Sequence, residues 1–471
     1  MAYFEQTQDR VSDVGLTTPQ ALDRFGLLTL LSGLYFFQFW LLQLGHGPWP
    51  DMVLSVLAAF AAVQFLLPRL SALFLINAGA FVAHYASQSP VASNNQTTAV
   101  FFFGIVLIAA LLIKRKDKRT VNERESLFLA IAGPGRWLLA IMYFYGIYHK
   151  INADFLDPMV SCAVVLYGLL AANFGLSDWS VGKYGAIYAT FLVEGVAMVL
   201  LFIPRWKVVG MAIGVPFHVV IGWTGYAYYK DFSTIVLVLY ALFIPASSLH
   251  SGLYKLSHLV GSKGRALTLG RAALLVLALA YASLTVMRSG SLVVTHDSFT
   301  WIFTVYAIAF YVFLILCVRP AHQEVQPRTG WMAVIPLLFF VNGASPYLGL
   351  KTESAIAMYS NLHTEGGQTN HLIHGTLPFA AKYQENLVVP LASNSPAFDR
   401  AFVFSGSALV RYEFDRILAQ TPGLKVQAIV NGQHVVTGPD WENHYLSAGP
   451  LARAFLLFKP VDFNRPKVCT H

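Results

Sequence analysis

Between Arg24 and Gly349 long apolar runs alternate with short polar loops, and most runs approach the roughly 20 residues that a helix needs to cross a bilayer. Helices that are apolar on every face do not belong on the surface of a water-soluble domain. Composition agrees: 56% of the 471 residues are hydrophobic and only 12% charged, against roughly 25% charged in soluble domains. From Leu350 to His471 the composition returns to that of a globular domain. The expected fold class is an all-α polytopic membrane domain over 24–349, with a polar segment, 1–23, before it and a small α+β domain, 350–471, after it.

Candidate crossings fall at about 24–44, 52–67, 70–87, 98–113, 136–155, 185–203, 206–226, 232–250, 267–287, 300–318 and 331–348. The run 160–174 is short for a crossing, and loop charge decides its role. Lys114 to Arg119 is the densest basic loop and is expected in the cytoplasm. If 160–174 does not cross, Arg69, Arg205, Lys207, Lys255, Lys263, Arg265, Arg319 and Arg328 all join it on that side; if it crosses, every later group moves out. We therefore expect an interfacial or re-entrant helix at 160–174, about eleven transmembrane helices, a cytoplasmic N-terminus and an extracytoplasmic C-terminal domain. Segment 126–135, ending Gly133-Pro134-Gly135, reads as an interfacial lead-in to the helix starting at Arg136.

The net charge of +8 does not imply nucleic acid, because the basic residues sit in short loops that orient the chain in the bilayer. Cys162, Cys317 and Cys469 form no CxxC or metal spacing. Cys162 and Cys469 both fall outside in this topology, which leaves a bridge between them open. No short apolar stretch with a cleavage site precedes Arg24, so the first spanning helix is expected to direct insertion. No repeat of 20 to 50 residues is evident. In the tail, 398–410 carries a β-like run, 411–420 has helical periodicity, Asn431-Gly432 reads as a hairpin turn within 426–436, and 451–458 reads as another strand.

Ionisable residues within apolar runs are costly and mark function. Lys150 lies roughly 21 Å along the helix from Arg136, Glu194 roughly 14 Å above the cytoplasmic end of its crossing, and His218 roughly 18 Å up the next. An amine, an acid and an imidazole thus share a depth in the outer half of the membrane. Desolvation lowers the pKa of a buried lysine and makes it a base, whereas a carboxylate in contact holds it charged. The structural alternative is a snorkelling Lys150, a Glu194 in a helix–helix hydrogen bond and a satisfied core His218. Asn94-Asn95-Gln96 lines the mouth of the same cavity or forms a polar turn. Tyr226, Tyr228, Tyr229, Lys230 and Asp231 read as an outer interfacial rim. His371 and His374 have a spacing that could ligate metal on a helix, but the glycines before them argue for a loop, and no metal is predicted.

The stretch from Arg136 through Tyr143-Phe144-Tyr145-Gly146-Ile147-Tyr148-His149-Lys150-Ile151-Asn152-Ala153-Asp154-Phe155 resembles the membrane domain shared by the vitamin K-dependent gamma-glutamyl carboxylase and the bacterial horizontally transferred transmembrane (HTTM) proteins. In that family a lysine at the position of Lys150 is the base that deprotonates a reduced quinone. The preceding lysine of the family is His149 here. The resemblance extends to Glu194, where the carboxylase has aspartate, to Phe217-His218, and to Asn94-Asn95-Gln96, where Gln96 replaces a histidine and cannot exchange a proton as histidine does. It covers roughly Arg24 to Val260. It implies a carboxylase/lyase-like or quinone-dependent oxidoreductase-like enzyme in a bacterial inner membrane, a reduced, vitamin K-like quinone as cofactor, and a peptide or protein substrate on the extracytoplasmic side. Lys150, His218 and Glu194 are the expected catalytic residues, and His149, Asn95, Gln96 and Arg136 the expected cofactor-binding ones. The competing expectations are a non-enzymatic component of a peptide-maturation, export or immunity system, and a proton-coupled transporter.

Overall fold

The computed structural model describes residues 22–45, 48–116, 123–224, 229–260, 270–273, 276, 300–318, 329–375, 383–384, 386–438, 441, 448–462 and 465–469. The N-terminal segment before Leu22, the loop residues 117–122, Tyr226 and Tyr228, most of the expected crossing 267–287, and Lys263, Arg265, Arg319 and Arg328 lie outside the described residues.

The first helix, α1 (Arg24–Gln43), is buried along almost its whole length, and it packs against four others: α2 (Asp51–Leu66), α3 (Ser71–Gln88), α5 (Glu123–Tyr148) and α10 (Tyr229–Ala241). That burial follows from a sequence apolar on all sides. Asp23 starts the helix by accepting from Gly26 N at 2.6 Å. The helix α4 (Asn94–Lys116) lies beside α3 and α5. After α5 come a single turn, α6 (Ala153–Leu156), the short α7 (Cys162–Ala171), α8 (Ser180–Phe202) and α9 (Lys207–Trp223). The helices α11 (Ala246–Val260), α12 (Thr300–Leu316) and α13 (Val334–Ala344) complete the described bundle.

Among the described residues four helices are long and apolar enough to cross a membrane: 24–43, 94–113, 123–148 and 180–202. A fifth is possible only if α10 and α11, bent by 110° at their junction, count as one. Of the eleven expected crossings, those at α2, α9, α12 and α13 are shorter apolar helices among the described residues. At ten residues α7 is far below crossing length, and it packs along α8.

Three local expectations are corrected. Segment 126–135 is no separate lead-in, since α5 runs unbroken through Pro134 for 26 residues. Crossing 136–155 stops early: α5 ends at Tyr148 and a turn through His149 and Lys150 leads into α6. Crossing 232–250 is broken after Ala241, where Pro245 cannot continue the hydrogen-bond ladder. The Arg136 guanidinium donates twice to the buried Leu242 carbonyl, at 2.8 and 2.7 Å, and so satisfies an acceptor that the bend releases.

Contacts define two ends of the bundle. At one, Arg124 pairs with Asp23 and donates to Arg69 O at 3.1 Å, and Arg24 pairs with Glu125. At the other, the tail sits on the start of α4 and the turn after α5. Ile356 N donates to Asn94 Oδ1 at 2.7 Å, and Asn152 Nδ2 to Ser360 O at 2.6 Å. A disulfide joins Cys162 to Cys469, closing the bridge that the sequence left open.

The tail contains a four-stranded antiparallel sheet of β1 (Leu387–Ser393), β2 (Leu409–Val410), β3 (Val426–Val430) and β4 (Gln433–Val436), in the order β2-β1-β3-β4. The expected hairpin is present, with Asn431 and Gly432 at φ 51° and 78°, the doubly left-handed turn that Asn-Gly favours. The helix α14 (Arg411–Gln420) packs Phe414 and Leu418 onto Val388, Leu409 and Val426. Two expectations fail. Residues 398–410 are largely helical turn with strand only at 409–410, and 451–458 opens with a helix, α15 (Pro450–Phe455). Pro450 at the first helical position explains the latter.

Candidate functional site

Lys150, Glu194 and His218 line one cavity of about 240 Å³. Its inner wall comes from α5 (Met142, Tyr143, Gly146) and α9 (Phe217, His218, Ile221), and its outer wall from α7 (Leu166, Leu170) and α8 (Ala186, Ala189, Thr190). The opposite faces of α7 and α8 expose Val165, Leu169, Tyr188 and Leu192. Only the single layer of α7 and α8 therefore separates the cavity from the apolar surroundings of the bundle, and Val220, another lining residue, is itself 41% exposed. The tail closes one end through Ile356, Met358 and Tyr359.

Lys150 follows the C-terminus of α5, where a cation is favoured by the helix dipole. Its Nζ donates to both oxygens of Glu194 at 2.8 Å, and both side chains are under 10% exposed. The Phe155 ring lies 5.8 Å from Nζ. Gly146 faces Glu194, and a Cβ there would stand 3.4 Å from Oε2, in ordinary contact. By the criterion of carboxylate contact, the resting Lys150 is one half of a buried ion pair.

His218 is 2% exposed, and its Nε2 lies 2.8 Å from the Tyr143 hydroxyl, which in turn hydrogen-bonds the Tyr240 hydroxyl. The two phenols meet against Gly214, where a Cβ would fall 1.9 Å from the Tyr240 hydroxyl, so no larger residue fits without displacing it. The Nδ1 of His218 has no hydrogen-bond partner among the described residues.

The four residues expected to bind a cofactor do not line this cavity. His149 stacks on Tyr145 and is held by Tyr347 Oη at 2.9 Å and Ala355 O at 3.3 Å, which commits both ring nitrogens. Asn95 accepts from Ser93 Oγ, and Gln96 Oε1 accepts from Ser93 N at 3.1 Å. Gln96 thus supplies one half of a capping box at the start of α4, rather than a group at a cavity mouth. Arg136 caps the bend after α10.

The expected outer rim is also corrected at Lys230 and Asp231, which are 2% and 5% exposed; Gln38 Nε2 donates to Asp231. His371 sits in an irregular loop bridged to Asn152, with Nε2 3.0 Å from Tyr148 O.

Sequence reasoning missed Tyr143, Tyr240 and the strap 354–361. Tyr143 lies two helical turns before Lys150 and therefore on its face, and Tyr240 is the lone hydroxyl in Ile235-Val236-Leu237-Val238-Leu239-Tyr240; either pattern signals a buried polar contact. The strap has no such signature. Ser354, Ile356, Tyr359 and Asn361 all adopt positive φ, between 54° and 61°, a conformation that side chains other than glycine rarely take and that tertiary contacts must enforce. Compared with known proteins, the chain matches no protein-family model, no curated protein and no solved structure.

Proposed function

We propose that the chain is an integral membrane enzyme in which the Lys150–Glu194 pair, assisted by His218, removes a proton from a quinone-like or other lipid-soluble ligand reaching the cavity from the bilayer. The observation that carries this reading is the meeting of an amine, a carboxylate and an imidazole in one largely apolar cavity. A purely structural ion pair needs no cavity beside it.

The chemistry follows from the pair. An ammonium has no lone pair, so Lys150 becomes a base only after passing a proton to Glu194. In a low-dielectric site the neutral amine and acid compete with the ionised pair, because each buried ion loses several kcal/mol of hydration. The amine then takes the ligand proton, and the resulting ammonium lies beside the new anion, where water is excluded and its charge acts at full strength. At about 240 Å³ the cavity is smaller than the ~300–1,000 Å³ of ordinary ligand sites, which suits a head group whose tail remains in lipid.

The same reading puts the cavity end and the tail on the extracytoplasmic side. Its support is that the tail contacts the start of α4, while the basic run that opens with Lys114, Arg115 and Lys116 begins at the other end of that helix. The resemblance to the HTTM and gamma-glutamyl carboxylase proteins agrees with a base at Lys150. The replacement of histidine by Gln96, now a helix cap, removes a proton-exchanging group from the family pattern.

A second reading, a non-enzymatic membrane component with a structural ion pair, is favoured by the contact itself, since Lys150 and Glu194 already pair with each other at 2.8 Å. Lys150→Ala with expression tracked separates the two. An enzyme keeps folded protein and loses turnover; a wild-type phenotype removes the base.

A further inference from the structure

His371 fastens a short turn of the tail to the turn that carries Lys150. Leu372 N donates to Ile151 O at 3.0 Å and Ala153 N to Asn370 O at 3.1 Å, so an antiparallel bridge, Asn152 to His371, begins one residue after Lys150. The His371 ring completes the turn with three hydrogen bonds. Nε2 lies 3.0 Å from Tyr148 O, while Nδ1 accepts from Ile373 N at 3.2 Å and from His374 N at 3.0 Å. These partners admit one protonation state. A carbonyl oxygen only accepts, so Nε2 carries a proton; backbone N–H groups only donate, so Nδ1 is bare. The closed turn therefore holds a neutral imidazole.

A second proton has no place in this arrangement. On Nδ1 it would face two N–H donors and cost both accepted hydrogen bonds, each worth roughly fivefold in favour of the closed turn. The groups around the ring do not offset that loss. Facing it are Tyr148 and His149 at the end of α5 and Tyr347 after α13, with His374 on its own turn. The Asp154 carboxylate of α6 is committed to Asn370 Nδ2 at 2.7 Å and Lys467 N at 2.9 Å, and Lys150 is paired with Glu194. Burial, opposed by the Tyr148 carbonyl and aided by His374, holds the imidazole below the ordinary histidine value of 6.5. Little apolar packing resists opening, since Leu372 and Ile373 are 58% and 69% exposed.

We infer that His371 is an acid-sensitive clasp: neutral, it locks residues 370–374 onto 151–153 and steadies the Lys150 turn, and its protonation opens that lock while contacts with the strap, such as Asn152 Nδ2 to Ser360 O, stay in place. One proton is taken from solvent per opening, and the inference does not require Lys150 to be a base. The open turn frees an ordinary imidazole and so binds more protons than the closed one below pH 6.5. Closure is therefore strongest above that value and weakens as the pH falls through the lowered one, by at most about tenfold per pH unit for a single proton.

The test is amide exchange of the full chain in detergent micelles at about pH 7.5 and 5.5, with rates corrected for intrinsic chemistry. Protection of 370–375 and 149–153 should fall severalfold, up to about tenfold, at the lower pH, while α14 in the same tail holds steady. His371→Asn removes the titrating group and keeps a side-chain carbonyl that accepts from the backbone two residues on, so its protection should be equal at both pH values. His374→Gln should respond as the wild type does, and these two proteins decide the matter if His371→Asn does not fold. Wild-type protection that does not change with pH, a loss that extends to α14, a response that survives in His371→Asn, or one that disappears in His374→Gln would overturn the inference.

Discussion

Removing one partner of the Lys150–Glu194 pair separates its structural from its chemical role. Both side chains are under 10% exposed and joined by two 2.8 Å contacts, so solvent cannot screen a partner left alone. Lys150→Met strands a carboxylate and Glu194→Gln strands an ammonium, and breaking a buried pair in this way costs about 3–5 kcal/mol. Replacing both together leaves no buried charge. The double variant Lys150→Met/Glu194→Gln should therefore lie within about 1–2 kcal/mol of the wild type, because the desolvation penalty disappears with the attraction. Denaturant titration of the purified protein, followed by tryptophan fluorescence, reads all four corners of the cycle. Function is scored in parallel, and the double variant should be as inactive as either single one. Two results would refute the reasoning. Single variants as stable as the wild type would mean that the two groups do not interact as a buried pair. A double variant that regains function along with stability would make the pair a structural element only.

Cys469→Ser removes the bridge to Cys162 and should cost about 2–4 kcal/mol in the same titration; Cys317→Ser, at a free buried thiol, should leave the covalent link intact on a non-reducing gel. Asn94→Ala takes the acceptor from Ile356 N and leaves a buried donor unpaired, at about 1–3 kcal/mol. Amide exchange in 354–361 should then accelerate, and unchanged protection would show that Asn94 does not hold the strap. Burial pushes the Lys351 ammonium down from 10.5 to about 8, against the opposing pull of Glu353. The unfolded chain therefore binds more protons between about pH 8 and 10.5, so the destabilisation is full below pH 8 and stability rises through that window by roughly 3 kcal/mol. Lys351→Met should flatten the rise, and a wild-type stability that falls over the same range contradicts the assignment.

The membrane-type helices were legible because apolar length needs no tertiary information, and the shared depth of Lys150, Glu194 and His218 was legible from helical rise alone. Their convergence on one cavity depended on helix rotation and neighbour choice, which spacing does not encode. The short α2, α9, α12 and α13 show why apolar runs alone do not fix the number of crossings: an apolar run marks burial, in lipid or in protein alike. Arg136 and Gln96 lie away from the cavity for a related reason. Each is a polar residue in an apolar setting, yet one satisfies a carbonyl freed more than a hundred residues later in the chain and the other caps its own helix. The α10–α11 bend was written in Pro245, but its partner was not. The hairpin at Asn431-Gly432 and the helix at 411–420 were readable because local chemistry decides both, whereas β1 contains Pro390 and a register shift that blur its alternation.

The most direct test of the account is what the cavity holds in the cell membrane. The wild type and an Ala189→Trp variant, whose indole would fill the space beside Thr190 and Glu194, are purified in parallel, extracted with organic solvent and compared by mass spectrometry. The account predicts a ring-bearing, oxygenated lipid, quinone or quinol in type, retained by the wild type and lost from the filled variant. Identical extracts from the two proteins, or a wild type carrying only bulk phospholipid, would contradict it.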